Sequence, residues 1–194
     1  IRCAKKVKEA KICASALGIY ELSVNGQKAG DRYFAPGFTS YRHEMQYQVY
    51  NVTGMLEEEN TLTAVVAGGW AVGSFVFTRG NRHDADRQAL LAEIRITYED
   101  GSQEIIGTDE SWEVTEEGPY RMADLYDGET YDATVDPEKI SWRKAEREKL
   151  KFAPNLIADY GSPVRAHEEM KPVSVTERPD GALTCDFGQN FAGV

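Results

Sequence analysis

The chain has 194 residues, 41% hydrophobic and 10% aromatic, enough apolar material for one sizeable core. Its 22 basic and 32 acidic residues leave a formal charge of −10, which repels phosphate backbones and anionic lipid heads and argues against nucleic-acid and membrane partners. The longest apolar stretch, 62–77, is broken by Thr63, Gly68, Gly69, Gly73 and Ser74 and falls short of the roughly 18 unbroken residues of a membrane span.

No basic-then-apolar leader is visible, so no signal peptide is expected. Cys3, Cys13 and Cys185 are odd in number and lack CxxC spacing. They read as inert thiols in a reducing, cytoplasmic setting, not as a disulfide scaffold or structural zinc site.

In chain order, the dominant period is two. A strand is predicted over 11–16 and a second over Ile19–Val24, where Tyr20, Leu22 and Val24 alternate before an Asn25-Gly26 turn. Residues 46–52 predict a third, and Thr53 is placed to cap a single helical turn through Glu57. Another strand is predicted over 61–66. The longest alternation is Ala89–Tyr98, with Leu90, Ala92, Ile94, Ile96 and Tyr98 on one face. Asp100-Gly101 suits a tight hairpin turn toward a return strand over 103–108, followed by a strand over 111–115. Asp136-Pro137 starts a second short turn before Trp142. Strands over 173–176 and 183–187 flank a Pro179-Asp180-Gly181 turn, and a further strand is expected to begin after Gly193. Many short strands between Gly, Pro, Asn and Asp turns predict an all-β chain, a β-sandwich of jelly-roll type. The expected division is a sandwich over 1–150, a charge-rich, Pro/Gly-punctuated linker over 151–170, and over 171–194 the opening hairpin of a second β-sandwich.

Several phrases occur together: Leu17-Gly18-Ile19-Tyr20 running into Val24-Asn25-Gly26; Ala35-Pro36-Gly37-Phe38-Thr39-Ser40-Tyr41; Tyr47-Gln48-Val49-Tyr50; Gly69-Trp70; Leu125-Tyr126-Asp127-Gly128-Glu129-Thr130-Tyr131-Asp132; and Asp186-Phe187-Gly188-Gln189-Asn190. In this order and spacing they resemble the amino-terminal part of bacterial α-L-rhamnosidases, glycoside hydrolase family 78, over nearly the whole chain. The resemblance implies a galactose-binding-like sandwich that assists substrate recognition. The family's two catalytic carboxylic groups lie in a downstream α-helical barrel, for which this sequence has no pattern. By resemblance the chain is a non-catalytic accessory part of an inverting enzyme, with L-rhamnose-containing glycosides and the downstream domains of its own polypeptide as partners. One departure is Trp70-Ala71, where family members often carry Trp-Tyr; the sugar contact of that tyrosine is missing here.

Single residues support two uses each. Asp127 and Glu129, two apart on an extended strand, would share a face at roughly the 6.5–9.5 Å that an inverting carboxyl pair needs. Turn-making and solvation, or sugar hydrogen bonding, are the plainer uses of acids beside Gly128. Trp70 follows two glycines that leave room beside its indole, as a platform for the C–H face of a sugar or as core filling. Tyr41, Tyr126 and Tyr131 divide in the same way. The glycines of 68–73 form neither a P-loop nor GxGxxG, so no nucleotide cofactor is expected. His83-Asp84-Ala85-Asp86 lacks the glycine and further oxygens of a calcium loop, so no metal is expected either. A stand-alone carbohydrate-binding module and a purely bracing sandwich are the alternatives to the accessory-domain reading.

Overall fold

Alternating side chains decide which side of each strand meets the core. The computed structural model describes residues 1–75, 80 and 82–191, and it is mostly β with several sheets. The strand expected to begin after Gly193 lies outside the described residues. The largest sheet is built on β1 (Val7–Leu17), which lies antiparallel between β4 (Glu44–Asn51) and β6 (Ala89–Tyr98). Its register places Ala10 opposite Ile96, Ile12 opposite Ile94 and Ala14 opposite Ala92, so the small and branched inward residues of both strands share one buried face. β7 (Gln103–Gly107) extends this sheet beyond β6, and β12 (Asn155–Ala158) adds to its other edge, parallel to β4. The strand order is β12-β4-β1-β6-β7.

A smaller sheet, in the order β3-β2-β5, comprises β2 (Ile19–Val24), β3 (Gln27–Lys28) and β5 (Leu62–Ala67). Asn25 and Gly26, at φ of 52° and 78°, form the turn from β2 to β3 that their side chains favour. Buried residues of both sheets join one apolar core: Ile12, Ala14 and Ala16 of β1, Leu22 and Val24 of β2, and Ile94 and Ile96 of β6. The core also encloses polar atoms. The Tyr20 hydroxyl lies 2.8 Å from Gln48 Oε1, 3.0 Å from the Ala14 carbonyl and 3.1 Å from the Tyr50 hydroxyl, while Gln48 Nε2 donates to the Pro36 carbonyl at 3.2 Å. A buried amide and two buried hydroxyls are thus matched among themselves, which removes the desolvation cost of leaving them unpaired.

Three small pairs follow: β8 (Glu113–Val114) with β11 (Arg143–Lys144), and β9 (Tyr120–Asp124) with β10 (Gly128–Tyr131); then β13 (Ser174–Glu177) with β14 (Leu183–Asp186). The chain divides into two compact units, Ile1–Val164 and Arg165–Val194, the second holding the β13–β14 hairpin. The segment expected as a linker contributes β12 to the first unit, and Val164 bridges Tyr33. Both expected helical turns are 3-10 turns. At Pro137–Lys139 the Asp136 carboxylate caps the Glu138 N–H at 3.1 Å. At Thr53–Met55 the Thr53 hydroxyl makes no cap; it accepts instead the Ala10 N–H at 2.9 Å.

Candidate functional site

β5 ends at Ala67 and the chain enters α1 (Gly69–Val72), a single helical turn where the sequence predicts only glycine bends. The glycines are there for space. Gly18 sits at φ +127° against the Ala67 carbonyl, where a Cβ would collide, and a Cβ on Gly73 would meet the Asp124 carboxylate at 2.7 Å. This close approach sets Trp70 half-buried, its ring edge-on to Phe34 at 6.5 Å and to Phe38 at 6.2 Å. Phe38 in turn stacks on Phe75 at 5.6 Å and meets Tyr41 edge-on at 6.0 Å. Phe34 and Phe38 remain 44% and 56% exposed, so the cluster offers an open aromatic surface.

Tyr41 is the sealed member. It is 1% exposed, its hydroxyl donates to the Gly37 carbonyl at 3.0 Å, and burial, followed by the nearby Asp84 charge, raises its pKa far above the usual tyrosine range. It packs the base of the cluster and presents no free face.

The acidic residues meet the same turn from the β9–β10 hairpin. Asp124 Oδ2 accepts the Ser74 N–H at 2.6 Å, and its Oδ1 accepts the N–H groups of Tyr126 at 2.8 Å and Asp127 at 3.1 Å. Burial alone would raise the Asp124 pKa, but these three backbone donors outweigh it and hold the carboxyl below its ordinary value. Asp127 lies in the turn between the strands, and its carboxylate accepts the Ser74 hydroxyl at 2.8 Å. Glu129 lies on β10 opposite Ala123, and Gly128 between them has φ +85°. That left-handed residue breaks the extended geometry on which a shared face for Asp127 and Glu129 depends. Tyr126 is exposed at the hairpin tip, and Tyr131 packs edge-on against Tyr120 at 5.1 Å. Trp70 and Asp127 are therefore tied to one junction through Ser74, whereas Glu129 and Tyr131 belong to the hairpin strands.

A second feature is a cleft of about 150 Å³ between 32–37, β4 and the segment after β12. Arg32 and Asp159, both largely buried, form an ion pair inside it. Gln46 and the backbone before Gly37 line it, with Pro163 opposite.

The model of the alpha-L-rhamnosidase N-terminal domain matches residues 5–177. The chain belongs to this family. The alpha-L-rhamnosidase of Streptomyces avermitilis is 36% identical over 97% of the chain, and that of Alteromonas sp. is 31% identical over 98%. The chain spans only about a fifth of these relatives, 19% and 22% of their lengths. The structure of the S. avermitilis enzyme complexed with L-rhamnose superposes with a TM-score of 0.88, and that of the Aspergillus terreus enzyme, 29% identical, with 0.81; each covers 98% of the chain.

In this rhamnosidase N-terminal domain the His83–Asp86 loop is committed to cations of the chain itself. Asp84 pairs with Arg42 at 3.3 Å and Asp86 with Lys151 at 2.7 Å. Among the described residues no three His, Cys, Asp or Glu side chains gather as a metal site, and no helix is long and apolar enough to cross a membrane. Asp124 belongs to the acidic cluster legible around Asp127 and Glu129, whereas nothing local in the sequence marks Phe34, Ser74 or the Arg32–Asp159 pair. Phe38 lies within the Ala35–Tyr41 motif, but nothing local marks a phenylalanine as exposed. Ser74 and Asp124 are 50 residues apart, and only the fold joins them.

Proposed function

We propose that this chain is the non-catalytic N-terminal part of an α-L-rhamnosidase, helping to recognise terminal α-L-rhamnosides and bracing the downstream catalytic barrel of the same polypeptide. The family match over 5–177, with only about a fifth of each relative's length covered, carries the reading. It is supported by the acids themselves: Asp127 is turned onto Ser74 while Glu129 stands exposed on a hairpin strand, an arrangement that makes no paired-carboxyl cleft. Sheets of five and three strands around one core support a jelly-roll, galactose-binding-like sandwich. Exposed Val173, Val175 and Leu183 on the β13–β14 hairpin suit the opening of a second β-sandwich, whose remaining strands would cover them. Free Cys3, Cys13 and Cys185 support a reducing, cytoplasmic setting.

The test is hydrolysis of an aryl α-L-rhamnoside. The chain alone is expected to be inactive, and the full-length enzyme active. In that enzyme Asp127→Asn with Glu129→Gln is expected to change kcat by less than about threefold, whereas a loss of about a thousandfold with the fold intact would overturn the assignment. The open Phe34–Phe38–Trp70 surface favours one second reading, a carbohydrate-binding module that works alone. Saturable binding of L-rhamnose to the isolated chain, lost in Trp70→Ala without unfolding, would establish it.

A further inference from the structure

We infer that the Arg32–Asp159 cleft is a binding site for one uncharged, hydroxyl-rich ring, the class to which a monosaccharide unit belongs. The inference rests on the carbohydrate-recognition part of the proposed function but places recognition away from Trp70, Tyr126, Asp127, Glu129 and Tyr131. Four observations carry it.

The first is volume. The cleft holds about 150 Å³. That matches the liquid share of about five water molecules, enough for a small ring and too little for an oligosaccharide. The second is charge. Arg32 and Asp159, with side chains 25% and 19% exposed, pair with each other inside the cleft, so its formal charges cancel. A fixed anion there would be repelled by Asp159 and a fixed cation by Arg32, whereas a hydroxyl donates to one and accepts from the other at no cost in net charge.

The third is spare hydrogen-bonding capacity. Arg32 spends one N–H on Asp159, and the Gln46 side-chain amide has no hydrogen-bond partner among the described residues. Gln46 is held in place through its backbone, whose carbonyl accepts the Ser15 hydroxyl at 2.7 Å. The neighbouring Gln48 is different: its amide is consumed by Tyr20 and Pro36, which makes it a wall. The cleft thus combines free donors and acceptors with the apolar surfaces of Phe34, Pro36 and Pro163. That mixture fits the alternating C–H and O–H groups of a sugar.

The fourth is strain. Phe34 stands at φ +55°, a conformation that costs a bulky residue of order 1 kcal/mol or more. It is held there on both sides: the Gly37 N–H donates to the Phe34 carbonyl at 2.9 Å, and the Tyr20 N–H to the Ala35 carbonyl at 2.9 Å. The opposite wall is fixed by the Tyr33 N–H, which donates to the Val164 carbonyl at 2.9 Å. Both walls are therefore preorganised, which lowers the ordering cost of binding.

The experiment is a titration of the 194-residue chain with L-rhamnose and D-glucose, followed by NMR of the side-chain N–H groups. The expected result is saturable millimolar binding by at least one sugar, with shifts at Arg32 Nε–H and the Gln46 amide larger than that of the Trp70 indole N–H, whose ring touches the cleft only through Phe34. Gln46→Ala, which removes an amide that props up nothing, should weaken binding about fivefold with the melting temperature unchanged. A roughly tenfold rise in salt should leave the affinity nearly constant, because the ligand is uncharged. Binding confined to Trp70 and unaffected by Gln46→Ala would overturn the cleft and leave sugar recognition by the domain standing. Acetate binding in the cleft in preference to either sugar would overturn the ligand class. Failure of both sugars to bind would overturn the cleft and recognition by this domain together, while the non-catalytic assignment would still be decided by the hydrolysis assay.

Discussion

A single tyrosine shows how the core tolerates polar atoms. Tyr20 is 4% exposed and shares a network with Gln48, Tyr50 and the Ala14 carbonyl. Removing its hydroxyl leaves the buried Gln48 amide oxygen without its partner, and that cost exceeds the net worth of the bond lost. Tyr20→Phe is therefore expected to lower stability by about 1–3 kcal/mol in urea unfolding, although the ring shape is unchanged. The same burial, reinforced by Tyr50, drives the Tyr20 pKa far upward, and burial also raises that of Tyr50. In the unfolded chain these hydroxyls ionise near pH 10, but in the folded chain they stay protonated. The unfolded state thus binds fewer protons above that pH, and folding stability must fall there. Unfolding free energy measured across pH is expected to be insensitive to these tyrosines between pH 7 and 9 and to decline steeply above about pH 10; in Tyr20→Phe the decline should be shallower.

At the scale of elements, legibility follows the length of the alternating pattern. Ile19–Val24 and Ala89–Tyr98 are readable to the residue because three and five alternating apolar positions outvote any single substitution. β3, β8 and β11 have two residues each and carry no period. β12 falls within the stretch that composition marks as linker because it is parallel to β4, a pairing across more than a hundred residues with no turn to announce it. Around β9 and β10 the extended strand expected for Asp127 and Glu129 holds for Glu129 alone, since Asp127 lies in the turn. The carboxylate-rich phrase between the two strands suits a catalytic geometry, whereas Asp124 accepts the N–H groups of Ser74, Tyr126 and Asp127, and Asp127 accepts the Ser74 hydroxyl. This junction makes a prediction of its own. Asp124 is held below its ordinary pKa, so its contribution is present above about pH 4 and fades as acid protonates it in the folded state. Asp124→Asn keeps the shape, loses the charge and should cost about 1–2 kcal/mol. Hydrogen exchange should then quicken at the Ser74, Tyr126 and Asp127 amides while those of β1 and β6 stay protected. Equal quickening throughout would mean that the junction is not a local latch.

For the whole molecule, the question is where the first folding unit stops. Composition placed the boundary near 150, at a charge-rich stretch, but three long-range links lie beyond it. β12 pairs with β4, Asp159 meets Arg32, and Val164 closes on Tyr33. Ending the chain after Leu150 would strip the β4 edge of its partner and remove the carboxylate and the wall that cover Arg32, a loss of about 3 kcal/mol. For a unit of this size that corresponds to roughly 6–12 °C in Tm. Ending it after Val164 keeps all three links. What it removes is a 30-residue unit whose hairpin strands are exposed along their length and bury no core of their own. Thermal unfolding of residues 1–150, 1–164 and 1–194 is therefore expected to give one low melting temperature and two that agree within a few degrees. If 1–150 melted with the others, β12 would be a passive edge and the cleft beside it would have no fixed wall. If 1–164 fell with 1–150, the stability of the sandwich would depend on the β13–β14 segment, and the boundary would have to move to the far side of that hairpin.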